Sequence, residues 1–237
     1  MKKYLILILF IACSLNAQDK TDKQSAIVTY KTEMFSYPID TTKVGNEEVL
    51  NMMKSEITTI KKSLHQLRLK LNFNQNQSNF SGDVPMQRDN GIDFQNTLLF
   101  LDANGVYFRD GEKSFRQINF NNKNYTIELP INFNWKIHSE EKNILGYRVI
   151  KATTNKELNN GEQTLVEAWF APDLPFQFGV KEYMGLPGLI LLLREKSIEY
   201  KATNIKFKNN LKIDKLQKGQ KVSQEEFNAV VRKHYGK

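Results

Sequence analysis

Cysteine is all but missing from this chain of 237 residues, whose single thiol is Cys13. It lies in an N-terminal stretch with the marks of an export signal. Lys2-Lys3 form a positive start, Tyr4 to Cys13 is apolar, and Ser14-Leu15-Asn16-Ala17 supplies small residues ahead of Gln18. The pattern predicts cleavage after Ala17, with 1–17 as signal peptide and 18–237 as a single β-rich domain that carries no thiol. Such a mature chain has no disulfide, no thiol nucleophile and no cysteine metal site, so packing alone must stabilise it in an oxidising compartment. A second reading makes Cys13 a lipidated residue, but Phe10 stands where that signal expects a Leu-like side chain. The apolar run is shorter than the roughly 20 residues a membrane span requires, so no transmembrane segment is expected.

Histidine is almost as scarce. His65, His138 and His234 are far apart, and no His-Glu-x-x-His pair exists. No Gly-x-Ser-x-Gly elbow and no glycine-rich phosphate loop occurs either. No cofactor is implied. The one histidine–carboxylate cluster is His138 with Glu140 and Glu141. A secreted hydrolase with a site around His138 and Glu140 is the alternative function, and the bland reading is a solvated turn. Proline (6) and glycine (12) are few and form no linker, and no repeat or composition shift divides the chain.

Acidic residues are outnumbered. The net charge is +8, and removal of Lys2 and Lys3 leaves +6 (8 − 2). A basic surface can meet phosphates. The lysines are scattered among Asp and Glu, however, and the densest region, Lys201 to Lys221, has few aromatics to stack bases. No nucleic acid partner is expected.

What the chain does have is period-2 patterning. Ala26–Met34, Leu67–Phe73 (continuing weakly to Phe80), Ser114–Phe120, Tyr125–Leu129, Trp135–Ser139, Ile144–Thr154, Thr164–Ala171 and Ile198–Lys208 read as strands. Thr97–Leu101 and Val106–Arg109 flank Asp102-Ala103-Asn104-Gly105 and read as a hairpin, after a loop over 81–96. Asn159-Asn160-Gly161 reads as another turn, and Glu140-Glu141-Lys142-Asn143 as a polar break. Asn46 caps a predicted amphipathic helix over 46–64 whose core stripe is Val49, Leu50, Met53, Ile57, Ile60 and Leu64. Ser223 caps a C-terminal helix, Gln224 to His234, with Phe227, Val230 and Val231 on its apolar side. The predicted fold class is mainly β: one curved, mostly antiparallel sheet of roughly ten strands, an open or half barrel, with these two helices.

The stretch around which the rest is organised is Gly185-Leu186-Pro187-Gly188-Leu189-Ile190, continued by Leu191-Leu192-Leu193. Leu186–Leu189 reads as a type II turn with Gly188 at the position needing φ > 0. In the strand that follows, Leu189, Leu191 and Leu193 face one way and Ile190 and Leu192 the other. Both faces are apolar, so the strand is central, and Arg194–Ser197 returns the chain to water.

The hexapeptide is similar to the signature of the GLPGLI family of Bacteroidetes proteins. The resemblance extends over Asn134-Trp135-Lys136-Ile137, Ile144–Tyr147, Lys151–Thr153, Ala168-Trp169-Phe170 and Pro172–Pro175. It departs from the family pattern at Val149, where many members have Cys, and at Gly179-Val180, where many have Gly-Pro. The resemblance implies a secreted or periplasmic envelope protein often associated with outer-membrane transport, and it carries no known reaction. The expected function is therefore non-enzymatic: binding of an apolar ligand, or of an outer-membrane (TonB-dependent-type) receptor. The candidate binding residues are Trp135, Trp169, Leu186, Pro187, Ile190 and Leu192.

Overall fold

The computed structural model describes residues 25–36, 38, 41–83, 94–158 and 161–236. The segment read as an export signal, Cys13, most of the expected 81–96 loop and Asn159-Asn160 lie outside them. In chain order the strands are β1 (Ser25–Met34), β2 (Arg68–Phe73), β3 (Gln77–Asp83), β4 (Val106–Asp110), β5 (Lys113–Phe120), β6 (Lys123–Leu129), β7 (Lys136–Ile144), β8 (Tyr147–Glu157), β9 (Gln163–Ala171), β10 (Leu189–Glu195), β11 (Ile198–Lys208) and β12 (Gln220–Val222). The helices are α1 (Glu47–Leu64), α2 (Phe94–Phe100) and α3 (Gln224–His234). The strands form one open sheet in the order β12-β6-β5-β4-β3-β2-β1-β11-β10-β9-β8-β7. Every neighbouring pair is antiparallel except β12 with β6.

Alternation separates an inner from an outer face. The register row Val28–Leu71–Phe80–Tyr107 lies on the inner face, and all four are buried. Neighbours one residue along, such as Lys70 and Asn72, are half-buried on the outer face. Two covalent segments, together with the C-terminal half of α1 and with α2, fill the inner face. One is residues 130–135, which carry the chain from β6 near one end of the sheet to β7 at the other. The second is residues 172–188, between β9 and β10. Phe176 and Phe178 of this second segment lie 4.7 and 5.3 Å from the Phe73 ring on β2, and Gln177 accepts from Arg109 on β4 at 3.2 Å. Contact with β2, β4 and β10 from one short segment requires a sheet curved around it.

Three local expectations are corrected. Residues 94–100 are helix, not the first arm of a hairpin. Phe94, Thr97, Leu98 and Leu101 are buried at spacings of three and four, and this period is hard to see in a helix of only seven residues. β7 runs straight through Glu140–Asn143, and the turn comes at Leu145-Gly146, both with positive φ (54° and 83°), a type I′ geometry. The α1 stripe is buried only at its C-terminal end, at Ile57, Ile60 and Leu64; Val49 is exposed, and Leu50 and Met53 are half-buried. That half of the helix docks on the sheet, where Thr32 Oγ1 donates to the Leu64 carbonyl at 3.4 Å and the Ser63 and Thr97 hydroxyls share a hydrogen bond.

Candidate functional site

The hexapeptide begins where Gly185 takes φ 86°, left-handed space open to glycine. The Gly188 N–H then donates to the Leu186 carbonyl at 2.8 Å, two residues back. This is a γ-turn about Pro187, whose ring fixes a suitable φ, and not the type II turn expected. Gly188 has no positive φ. It is glycine because of crowding: a Cβ there would sit 2.2 Å from the Ala171 carbonyl oxygen. The turn also anchors the segment, since the Leu189 N–H bonds the Leu174 carbonyl (2.9 Å) and the Ile190 N–H the Phe178 carbonyl (3.0 Å).

Leu189 through Leu193 are all buried, as a central strand demands. Simple alternation fails, because β10 is bulged against β9. Ile190 pairs with Phe170, and Leu192 pairs with Trp169. Phe170 and Trp169 are successive residues of one strand and point opposite ways. Ile190 is therefore inner and Leu192 outer. The six candidate binding residues do not converge. Trp135 sits on the inner side, half-buried, with Nε1 donating to the Met184 carbonyl at 2.8 Å and its ring 6.2 Å from that of Tyr183. Leu186 and Ile190 are buried, while Pro187 is exposed at the turn. Trp169 lies beside Leu192 on the outer face, with the Lys142 ammonium 3.7 Å from its ring centre and its Nε1 donating to Glu167 at 2.9 Å. Beneath Phe178–Met184 the inner face leaves a void of about 10 Å³, the room of one water, beside the row Ser78–Arg109–Ser114.

Sequence reasoning missed a buried ionic cluster at the heart of this region. Lys181 and Glu195 pair with side chains only 3% and 5% exposed. The other Glu195 oxygen accepts from Tyr183 Oη at 2.8 Å and from Lys156 at 3.0 Å, and Lys156 also reaches Glu182 at 2.6 Å. Lys181 and the Tyr200 hydroxyl both donate to the Leu101 carbonyl, at 3.4 and 3.1 Å. Burial pushes the Lys181 pKa down, but Glu195, Tyr200 and Glu182 outweigh it and hold it well above the usual lysine value. Burial likewise pushes Glu195 up, and Lys181 and Lys156 overcome that, leaving its carboxyl well below the carboxylate range. Burial raises the Tyr183 pKa, with Glu195 and Glu182 adding to it. The cluster ties β8, β10, β11 and the 172–188 segment together as fixed, oppositely charged partners. The sequence placed Glu195 and Ser197 in water, but both are buried. The only signal was Lys181-Glu182 inside an otherwise apolar stretch, and its partner Lys156 lies 39 residues from Glu195.

The His138 cluster is not assembled. His138 Nε2 is 2.8 Å from Thr153 Oγ1, Glu140 pairs with Lys151 at 2.9 Å, and Glu141 pairs with Arg148. The two carboxylates are thus engaged with cations on β8. Among the described residues, no three His, Cys, Asp or Glu side chains gather as a metal site would require, and no helix is long and apolar enough to cross a membrane.

A family model described as a protein of unknown function (Porph_ging) matches residues 156–192. The match runs from Lys156 of the ionic cluster through β9 and the hexapeptide to Leu192. No curated protein matches the chain. Among solved structures, the chain is similar to PNGF-II in its P21 crystal form, with a TM-score of 0.54 at 16% identity, over 89% of this chain and 33% of that one. The C2 form of PNGF-II gives a TM-score of 0.52 at 16% identity with the same coverage. The chain thus spans a third of that protein's length, and at this identity the likeness is one of fold.

Proposed function

We propose that the protein is an exported, non-enzymatic envelope component that binds a partner protein, an outer-membrane receptor of the TonB-dependent type, along the β7 edge. The observation behind this reading is that the chain fills its own inner face. Residues 172–188 occupy the concavity where an apolar guest would sit, and the void beside them is about 10 Å³. Drug-sized ligands need roughly 300–1,000 Å³. Recognition then falls to the outside. β7 ends the sheet with nine residues, and among the described residues its outer edge pairs with no strand. Its bulge and its Lys136, Glu140, Glu141 and Lys142 discourage indiscriminate pairing and favour a complementary strand. The export pattern, with its cut after Ala17, and the resemblance of Gly185–Ile190 to an envelope family support the compartment.

The edge gives a defined test. In the two-residue Leu145-Gly146 hairpin, Ile144 and Tyr147 form the hydrogen-bonded pair, so Asn143 and Glu141 point their N–H groups off the sheet. A photocrosslinker at Ser139, in cells of the native host, is expected to give one discrete adduct containing an outer-membrane receptor. Glu141→Pro, which removes an outward N–H and the exposed Arg148 ion pair but no β7–β8 backbone bond, is expected to abolish it with the thermal midpoint held. No adduct, or an adduct indifferent to Glu141→Pro, overturns the proposal.

A further inference from the structure

At the other end of the sheet, α3 packs against the β5–β6 hairpin and leaves a groove of about 440 Å³, within the roughly 300–1,000 Å³ range of ligand sites. Its floor is apolar: Phe120, Tyr125 and Val230. The rings are held from below by Phe227, 6.1 Å from Phe120 and 5.4 Å from Tyr125. Phe227 is itself fixed in the first turn of α3 by the Ser223–Glu226 capping box. The rim is cationic. Lys233 comes from the last turn of α3, with His234 beside it, and Lys123 follows the Asn121-Asn122 turn, both of whose residues have positive φ (50° and 59°).

Cations in a last helical turn are commonly explained by the helix dipole. That accounts for Lys233 and not for Lys123, which arrives from a different element and converges on the same opening. Neither lysine has an ion-pair partner among the described residues, and no acidic side chain is among the lining residues. An apolar floor under unpaired lysines matches one chemistry, an apolar body joined to an anionic group.

We infer that the groove between the β5–β6 hairpin and α3 binds a small anionic amphiphile, its apolar part on Phe120, Tyr125 and Val230 and its phosphate or carboxylate between Lys123 and Lys233. The source is either a free amphiphile or the headgroup region of an anionic lipid. Nucleic acid is disfavoured, because the groove offers the Phe120 and Tyr125 rings side by side and not a track of stacking rings along a backbone path.

Titration calorimetry with octyl phosphate, used below micelle formation, tests this on the purified protein. Inorganic phosphate and octyl glucoside, each lacking one half of the chemistry, are expected to bind at least tenfold more weakly. The surface variant Lys123→Glu/Lys233→Glu is expected to lose at least tenfold in octyl phosphate affinity with its thermal midpoint unchanged. Sedimentation with phosphatidylglycerol vesicles, lost in that variant, assigns a lipid source; octyl phosphate binding without sedimentation assigns a free amphiphile. Absence of octyl phosphate binding, equal binding of octyl glucoside, or affinity unchanged in the double variant overturns the inference. β7 lies at the opposite end of the sheet, so either proposal can fail without the other.

Discussion

Glu195 is the residue on which most of the inner cluster depends, since it accepts from Lys181, Lys156 and Tyr183 together. Glu195→Gln leaves two ammonium groups facing a neutral amide, one of them in the core. Removing one partner of a buried pair costs about 3–5 kcal/mol, and a shift of that size in urea unfolding is expected. The pH dependence follows from the same pair. Glu195 has a depressed folded pKa, so its contribution is complete above the unfolded value near 4.3 and fades as pH falls through the folded value. Lys181 has a raised one, so its contribution is complete below about 10.4 and fades as pH rises further. Stability measured against pH should therefore fall on the acid side in the wild type, and Glu195→Gln should flatten that limb. None of this was legible beforehand. A charged residue at the end of an apolar strand is normally a return to water, and only contacts from sequence-distant Lys156 and Lys181 make it a core residue.

Among the elements, the hexapeptide turn gives the sharpest expectations. Gly188→Ala forces a methyl to 2.2 Å from the Ala171 carbonyl and demands movement of backbone on both sides. Overpacking of that kind costs about 1–3 kcal/mol. Gly185→Ala meets no neighbour within 4 Å and suffers only its left-handed φ, about 1–2 kcal/mol. Chemical denaturation should rank Gly188→Ala at least as damaging as Gly185→Ala, whereas a type II turn would require φ > 0 at Gly188. At the far end, Ser223→Ala removes the capping box and is expected to cost about 1 kcal/mol, read as a lower urea midpoint. Elements with long, regular patterns were readable: β1, β5, β6, β11, α1 and α3 fall close to their expected places. Those that failed did so for local reasons. The α2 stretch is too short to distinguish period 3.6 from 2, β7 carries charges because it is an edge, and a bulge in β10 reversed Ile190 relative to Leu192. Because Ile190 and Leu192 were placed on one face by alternation, that one extra residue set them on two.

For the whole molecule, a mostly β, open, antiparallel sheet was legible from strand count and short turns. The crossing of residues 130–135 from one end of the sheet to the other was not, since nothing in their composition marks a long-range connection. The resulting order places β1, β11 and β10 centrally and β7 and β12 at the rims. Hydrogen exchange followed by mass spectrometry should find amides of β1, β10 and β11 exchanging last, at the rate of global opening, and those of β7 and β12 first. Equal protection across the sheet would contradict this.

The pairing of β1 with β11 has a consequence in time. Ser25 lies opposite Lys208, 183 residues later. A chain made from its N-terminus has β1 beside β2 early, but the second ladder of β1 waits until nearly the whole protein has emerged. Loop closure over such a span is entropically slow, which places refolding in the millisecond-to-second range typical of non-local β topologies. During that wait one row of β1 backbone groups is open to any other strand, so the interval before β11 arrives is when this protein is most exposed to aggregation.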